Sequence, residues 1–366
     1  MTEERDLQLL VCDCITPLGN SLETWRALSA GRSNLRPTPV LGHEGNDNVP
    51  LSLFEPMSPM LPPRWMRHVV AMLQPVAGPE WGRADTPVFI ASSNFGVDSL
   101  YYYKHEGRAE QLPYATPHDS VEEIRKRVGW SHNVSLYSHA CVSAHVALLA
   151  ATAAVKNGGA KRALVVSYDF ISPFVTGGFH ALKILNGASP KPYHAGETGS
   201  IALGEGAGYA ILSAEGTGPR IARQALWNEM HHFTANEPEG SGFAKVVEPL
   251  ADFLKTRRFW IKGHGTGTID AGRLEACTLA KMFPDSPLTG WKGALGHPLG
   301  SCGLIEMALA CRAMENGIVP GTVGGEKPCF TDTVALENFD AKPFNAALIL
   351  SNAFGGAHAG LVLCHD

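Results

Sequence analysis

The chain has 366 residues, 45% hydrophobic and 18% charged, with a formal net charge of −5 at pH 7. Such a chain can bury a large core, either as two domains or as one fold built from two halves, and it offers no basic surface for nucleic acid. The acidic opening "MTEERDLQLL" does not suit a secretory signal, and no apolar run is long enough to span a bilayer. The eight cysteines are thinly spread and mostly lie in apolar segments, as expected for reduced thiols in a cytoplasm rather than for a disulfide framework.

In chain order, "QLLVCDCIT" reads as a strand. Cys12 and Cys14 are strand positions rather than zinc ligands, because no second Cys or His pair follows at ligand spacing. "SLETWRALSAG" reads as a helix, and 41–64, rich in Gly, Pro and polar residues, as a surface excursion. "TPVFIASSN" is a strand, and "SVEEIRKRV" a helix whose Arg125-Lys126-Arg127 run is a solvated face. "HVALLAATAAVKNGG" is a helix, followed by the strands "ALVVSYDF" and "YAILS". Next come a second excursion, 232–248, with His231 and His232 in its approach, and the strand "RRFWIKGHG". The helices "GRLEACTLAKMF" and "LIEMALACRAMENG" and the strands "AALILSNAF" and "AGLVLCHD" complete the chain. Strands this apolar are buried on both faces, which predicts an α/β layered fold.

Each half closes alike, with "LGEGAGYAILS" (203–213) and "FGGAHAGLVLC" (354–364), a glycine-rich turn feeding an apolar strand. This points to an internal duplication with halves 1–215 and 216–366. "LGEGAG" runs into a strand and there is no GxxxxGK[ST], so neither a dinucleotide nor a nucleotide phosphate loop is expected.

Three stretches carry chemistry: "HACVSAH" around Cys141, "IKGHGTGT" around His264, and "WKGALGHPLGSCG" with Lys292 five residues ahead of His297. Taken alone, Cys141 is either a small core residue or a nucleophile. Small flanking residues would let a substrate approach both imidazoles closely.

With these residues in order, the sequence resembles the β-ketoacyl-[acyl carrier protein] synthases, condensing enzymes of the thiolase fold. The resemblance covers nearly the whole chain: "ITPLGNSLETWRALSAGRSNLRP" (15–37), "ACVSAHVAL", "KPYHAGETGSIALGEGAG", "HGTGT" followed by Glu275, "K....GH" followed by Glu306, and "FGGAH". It implies two similar βαβαβαββ halves stacked as α-β-α-β-α layers, in a homodimer or in a heterodimer with a related subunit. Cys141 would be the nucleophile of a Cys-His-His site completed by His264 and His297. Lys292 would support the second histidine through a charged network with Glu306, with Glu275, Thr266 and Thr268 as supporting residues. Phe354, Gly355 and Gly356 would form the oxyanion and gating loop. The implied reaction joins malonyl and acyl groups delivered by an acyl carrier protein, in fatty-acid or polyketide-type synthesis, with no metal or organic cofactor. A thiol at a helix start is expected to have a lowered pKa.

The pattern departs from the family in places. Gly272 stands where an acidic residue is usual, with Asp270 two residues earlier, and "SNAFGGAH" is shorter than the usual NSFGFGG. "SLYYYK" (99–104) would either line an acyl pocket or pack at an interface or core edge, and His145 is expected to be a packed residue. Two rival readings remain open at this level. One is a thiolase, against which stands the absence of a cysteine before the last glycines, Cys364 coming too late. The other is a non-catalytic partner subunit of the chain-length-factor type.

Overall fold

Alternate residues of each long strand point to opposite faces of a sheet, and here the two faces feed different cores. The structure, a computed structural model, describes residues 6–42 and 47–365. The first five residues of the acidic N-terminus and residues 43–46 of the first excursion lie outside the described residues. Ten strands carry the architecture: β1 (Leu7–Thr16), β2 (Val88–Ala91), β3 (Val134–Tyr137), β4 (Arg162–Asp169) and β5 (Gly206–Ser213), then β6 (Arg220–Asn228), β7 (Phe259–Lys262), β8 (Leu288–Thr289), β9 (Ala346–Ala353) and β10 (Ala357–Cys364).

The first five lie in the order β1-β5-β4-β2-β3 and the second five in the order β6-β10-β9-β7-β8. The strand directions repeat as well: in each half the first three strands of that order pair antiparallel and the rest parallel. Only Leu7↔Ile221 and Gln8↔Arg220 join β1 to β6, so two half-sheets meet at a narrow seam.

Six helices complete the layers: α1 (Arg64–Met72), α2 (Pro117–Val128), α3 (Ser143–Lys156), α4 (Ser241–Leu254), α5 (Ile269–Met282) and α6 (Cys302–Asn316). Leu9, Phe89, Val165 and Leu212 of one half-sheet and Trp260, Ile349 and Leu363 of the other share a core with Ala147, Leu148 and Ala151 of α3 and Leu304, Met307 and Ala308 of α6. The intervening strand residues Ile90, Leu164 and Val166 pack on Trp65 and Val69 of α1 and on Val121 and Ile124 of α2. In the second half, Phe259, Ile261 and Leu348 pack on Val246, Val247 and Leu250 of α4 and on Leu279 of α5. The result is the expected α-β-α-β-α order. α3 and α6 form the middle layer, covered by a half-sheet on each side, which is why neither shows a polar stripe.

Most of the elements read from the sequence are present. The two excursions are the exception. Residues 48–52 form a strand with buried Val49 and Leu51, paired to Arg36–Pro39 and to Leu203–Gly204. The second excursion enters α4 at Ser241, because Phe243, Val246 and Val247 supply an apolar face that outweighs its glycines. Among the described residues no helix is long and apolar enough to cross a membrane.

Candidate active site

Cys141 lies on the tight turn between β3 and α3. Ala140 is held at φ +45°, an uncommon conformation for a residue with a side chain. Ser143 Oγ closes the turn, donating to the Ala140 carbonyl at 2.6 Å and accepting the His139 N–H at 2.8 Å. The neighbouring 298–301 turn fits against this elbow only because Gly300 has no side chain, since a Cβ there would stand 2.9 Å from the Ala140 carbonyl oxygen. The first helical residue is Ser143, so Cys141 precedes the helix by two residues instead of lying in its first turn.

His297 is set by a second turn. Gly296 adopts φ +69°, and a Cβ there would stand 2.4 Å from the Leu203 carbonyl oxygen. The freed approach lets His297 N–H donate to Ala202 O at 2.7 Å, and Gly204 N–H donate to His297 O at 3.1 Å. The glycine-rich turn 203–208 is thus a clamp on the histidine backbone. His297 Nε2 then stands 3.0 Å from Cys141 Sγ.

His264 follows β7 after one residue. The Glu275 carboxylate on α5 accepts its N–H at 2.6 Å and that of Gly265 at 3.0 Å, and it also accepts the Tyr193 hydroxyl at 2.9 Å. Lys292 Nζ donates to the His264 carbonyl at 2.8 Å and to Glu306 Oε1 at 2.6 Å. The lysine expected behind the second histidine therefore holds the backbone of the first. The two imidazole rings lie edge to face with centroids 5.0 Å apart.

Cys141, His264 and His297 open on one cavity of about 560 Å³, which Thr266, Thr268, Asp270 and Arg273 also line. Thr266 and Thr268 face each other, Oγ1 to Oγ1, at 3.3 Å. Phe354, Gly355 and Gly356 complete the wall, with the Phe354 ring stacked on Phe179 at 5.7 Å. Gly355 N–H donates to Phe233 O at 2.8 Å and Gly356 O accepts Glu229 N–H at 2.9 Å, both glycines having positive φ. The supposed excursion therefore contributes directly to the site, through Thr234, Asn236 and Pro238.

Burial dominates the electrostatics. It pushes the Cys141 thiol well up, with Lys292 opposing, which reverses the lowered pKa expected from a helix start. Burial, then the Lys292 charge, hold His264 and His297 well below the usual imidazole range. The resting pair is a neutral thiol beside a neutral imidazole. Burial draws the Lys292 ammonium down, but Glu306 more than restores it, leaving its pKa raised.

Other residues of the site were not singled out from the sequence. Lys262 Nζ pairs with Glu306 and donates to Gly263 O at 2.7 Å. Its signal was a lysine in the apolar run "FWIK", two residues ahead of His264. Tyr193 and Cys302 were also missed; the Cys302 thiol donates to the Cys141 carbonyl at 3.2 Å. His145 is packed as expected, its Nε2 3.1 Å from Ser351 Oγ. The tyrosines of "SLYYYK" sit in the helix Val97–Glu106 and are not part of the cavity wall.

Residues 220–326 match the family described as beta-ketoacyl synthase, C-terminal domain. Over that segment the chain is similar to the β-ketoacyl synthases. The actinorhodin polyketide putative beta-ketoacyl synthase 1 of Streptomyces coelicolor is 26% identical over 291 residues, covering 73% of this chain but only 61% of that protein. The 3-oxoacyl-[acyl-carrier-protein] synthase 2 of Rhizobium meliloti is 26% identical over 301 residues, covering 73% and 70%. Among solved structures, the β-ketoacyl synthase of Burkholderia phymatum superposes with TM-score 0.83 at 18% identity over 99% of this chain and 100% of that one. A type II polyketide ketosynthase complex with its acyl-carrier protein contains a chain matching at TM-score 0.84 and 19% identity, over 99% and 100%. A Xenorhabdus doucetiae ketosynthase–chain length factor complex contains one at 0.81 and 17%, over 100% and 99%. The chain has the fold of those ketosynthases.

Proposed function

We propose that this chain is a β-ketoacyl-acyl carrier protein synthase that joins an acyl group on Cys141 to malonyl-acyl carrier protein with loss of carbon dioxide. The observation that carries the reading is the 3.0 Å contact of His297 Nε2 with Cys141 Sγ in a cavity that His264 also lines. In the first step the thiol proton passes to His297 Nε2, and the sulfur attacks the acyl thioester carbonyl. Collapse of the adduct expels the carrier thiolate, which takes the proton back from His297.

Acylation removes the thiol proton, and the neutral His297 ring then shifts its single proton from Nδ1 to Nε2. His264 and His297 then donate to the malonyl thioester oxygen. The electrons of the breaking carbon–carboxylate bond form an enolate whose charge those donors stabilise. The enolate carbon attacks the acyl-Cys141 carbonyl, and Cys141 leaves as a thiolate that takes up one proton from water to restore the resting thiol. Decarboxylation drives the condensation, so this chemistry requires neither a metal nor an organic cofactor.

In this reading the first half, 1–215, supplies the nucleophile and the second, 216–366, the two histidines. Phe354 and its two glycines gate the acyl site. The partner that delivers substrates is an acyl carrier protein, and the subunit pairs with a copy of itself or with a related chain. Eight free thiols suit work in the cytoplasm. Incubation with acyl carrier proteins bearing chains of different length, followed by intact mass, tests the proposal. Acylation of the wild type but not of Cys141→Ala supports it; no acylation from any donor refutes it and favours the non-catalytic partner subunit.

A further inference from the structure

Glu306 on α6 is fully buried and receives two lysines. Lys292 and Lys262 both bond its Oε1, while Oε2 has no partner among the described residues. One lysine neutralises one carboxylate. A second buried ammonium costs several kcal/mol to desolvate, and an aliphatic residue would fill a strand position in this core without that cost.

The bonds made by the second ammonium show what it does. Lys262 Nζ donates to the Gly263 carbonyl at 2.7 Å and Lys292 Nζ to the next one, His264, at 2.8 Å. On the other side of the same backbone, Glu275 accepts the consecutive N–H groups of His264 and Gly265. The peptides around His264 are thus held by a charged partner at each of four consecutive polar positions. Such charge-assisted bonds are the stronger class, and a ring aimed at a reacting oxygen needs a rigid support.

We propose that Lys262 is a second positioning residue for His264, acting with Lys292 through Glu306 and the Gly263 carbonyl, and that its ammonium balances the second of the two buried carboxylates, Glu306 and Glu275, around that histidine. The inference rests on the condensing reading above. With Lys262 charged, the two buried carboxylates are matched by two ammonium groups, and the negative charge that develops on the enolate meets no uncompensated carboxylate behind His264.

Charged or titratable groups act on Lys262 from several elements: Glu306 and Cys302 from α6, and Lys292 from the short helix Lys292–Leu295. Its charge reaches Glu275 on α5, His145 on α3, and the loop histidines His264 and His297. The Trp291 ring centroid lies 5.8 Å from Nζ. Burial pulls the Lys262 ammonium down to about 8, with Glu306 opposing and Lys292 assisting. The Lys262 charge is therefore lost on mild alkalinisation, while Lys292 keeps its proton.

The test measures malonyl-acyl carrier protein decarboxylation and Cys141 acylation side by side, from pH 6.5 to 9.5, in wild type, Lys262→Met and Lys262→Gln. The wild type should show a decarboxylation kcat that falls on an alkaline limb near pH 8. Lys262→Met should lower that kcat at pH 7 by about tenfold or more, with KM changed by less than about threefold and acylation slowed less than decarboxylation. Lys262→Gln, which keeps a donor for Gly263 O without the charge, should recover part of the kcat but not the alkaline limb. A wild-type profile without that limb, or a Lys262→Gln variant that retains it, overturns the proposal even if Lys262→Met fails to fold. A wild type that neither acylates nor decarboxylates refutes the condensing reading instead.

Discussion

His297 and Cys141 touch through Nε2 and Sγ at 3.0 Å, whereas His264 meets His297 only ring to ring, with centroids 5.0 Å apart. The two histidines are therefore unequal before any substrate binds. Only one of them can accept the thiol proton directly.

That asymmetry separates their variants. His297→Ala should slow Cys141 acylation by roughly 10²- to 10⁴-fold, the usual worth of a positioned base. His264→Ala should leave acylation within a few-fold of wild type. Both should lose roughly 10²- to 10³-fold in malonyl decarboxylation, the cost of one oxyanion donor. Stopped-time intact mass and carbon dioxide release measure the two steps. Equal acylation in the two variants would contradict a base role for His297.

Glu275→Gln replaces a carboxylate that accepts from His264 N–H, Gly265 N–H and the Tyr193 hydroxyl. The amide brings a donor to a place that holds only donors. Destabilisation of about 1–3 kcal/mol is expected, from one buried group left unpaired. Decarboxylation should fall more than acylation, because His264 is the residue released. Urea unfolding and the two rate assays, run on one preparation, check both statements.

A pH prediction follows from His145. Burial draws its imidazole down to about 4. The unfolded chain takes up this proton near pH 6.5, its unperturbed value, while the folded chain resists it until about 4, so the unfolded state binds more protons in between. Stability is therefore lost as pH falls through that window, by about 3 kcal/mol for this group. Asp169, which burial pushes up to about 7, acts in the opposite sense. The informative quantity is thus the difference between wild type and His145→Gln. Urea midpoints at pH 7.5 and 4.5 should drop less in the variant; equal drops would show that His145 titrates normally.

Arg64 and Glu205 form a buried ion pair, and Glu205 also accepts the N–H groups of Phe54 and Ile171. Glu205→Ala strands a guanidinium in the core and should cost about 3–5 kcal/mol. The clamp on His297 runs through the adjacent Gly204, so activity should fall along with stability. A urea midpoint that does not move would rule out a structural role for the pair.

Phe354→Ala removes the ring stacked on Phe179 at the cavity wall. If this loop gates the acyl site, acylation by long chains should change more than acylation by short ones. A uniform change across chain lengths would assign the ring to packing alone.

Much of this was legible in one sequence because it depends on local pattern. The apolar strand runs, the Ala-rich helix after Cys141 and the repeated glycine-rich closures are periodicities of two and 3.6 residues, and a chain records those directly. The ordered motifs around Cys141, His264 and His297 were legible for the same reason, since each occupies a single turn. The two excursions were misread because their glycines and prolines were weighed without the surfaces that Val49, Leu51, Phe243 and Val246 bury. The thiol was expected to be acidic because a helix start is a local feature, whereas desolvation depends on everything packed around Sγ. Lys292, 28 residues from His264, and Tyr193, 82 residues from Glu275, reach the support of that histidine from distant parts of the chain. The sequence by itself therefore determined most of the elements, the α/β layering and the motifs that carry Cys141, His264 and His297. Only the tertiary structure decided which groups meet, which lysine holds which backbone, and which protons are bound, because those depend on distances and burial created when the two halves close on α3 and α6.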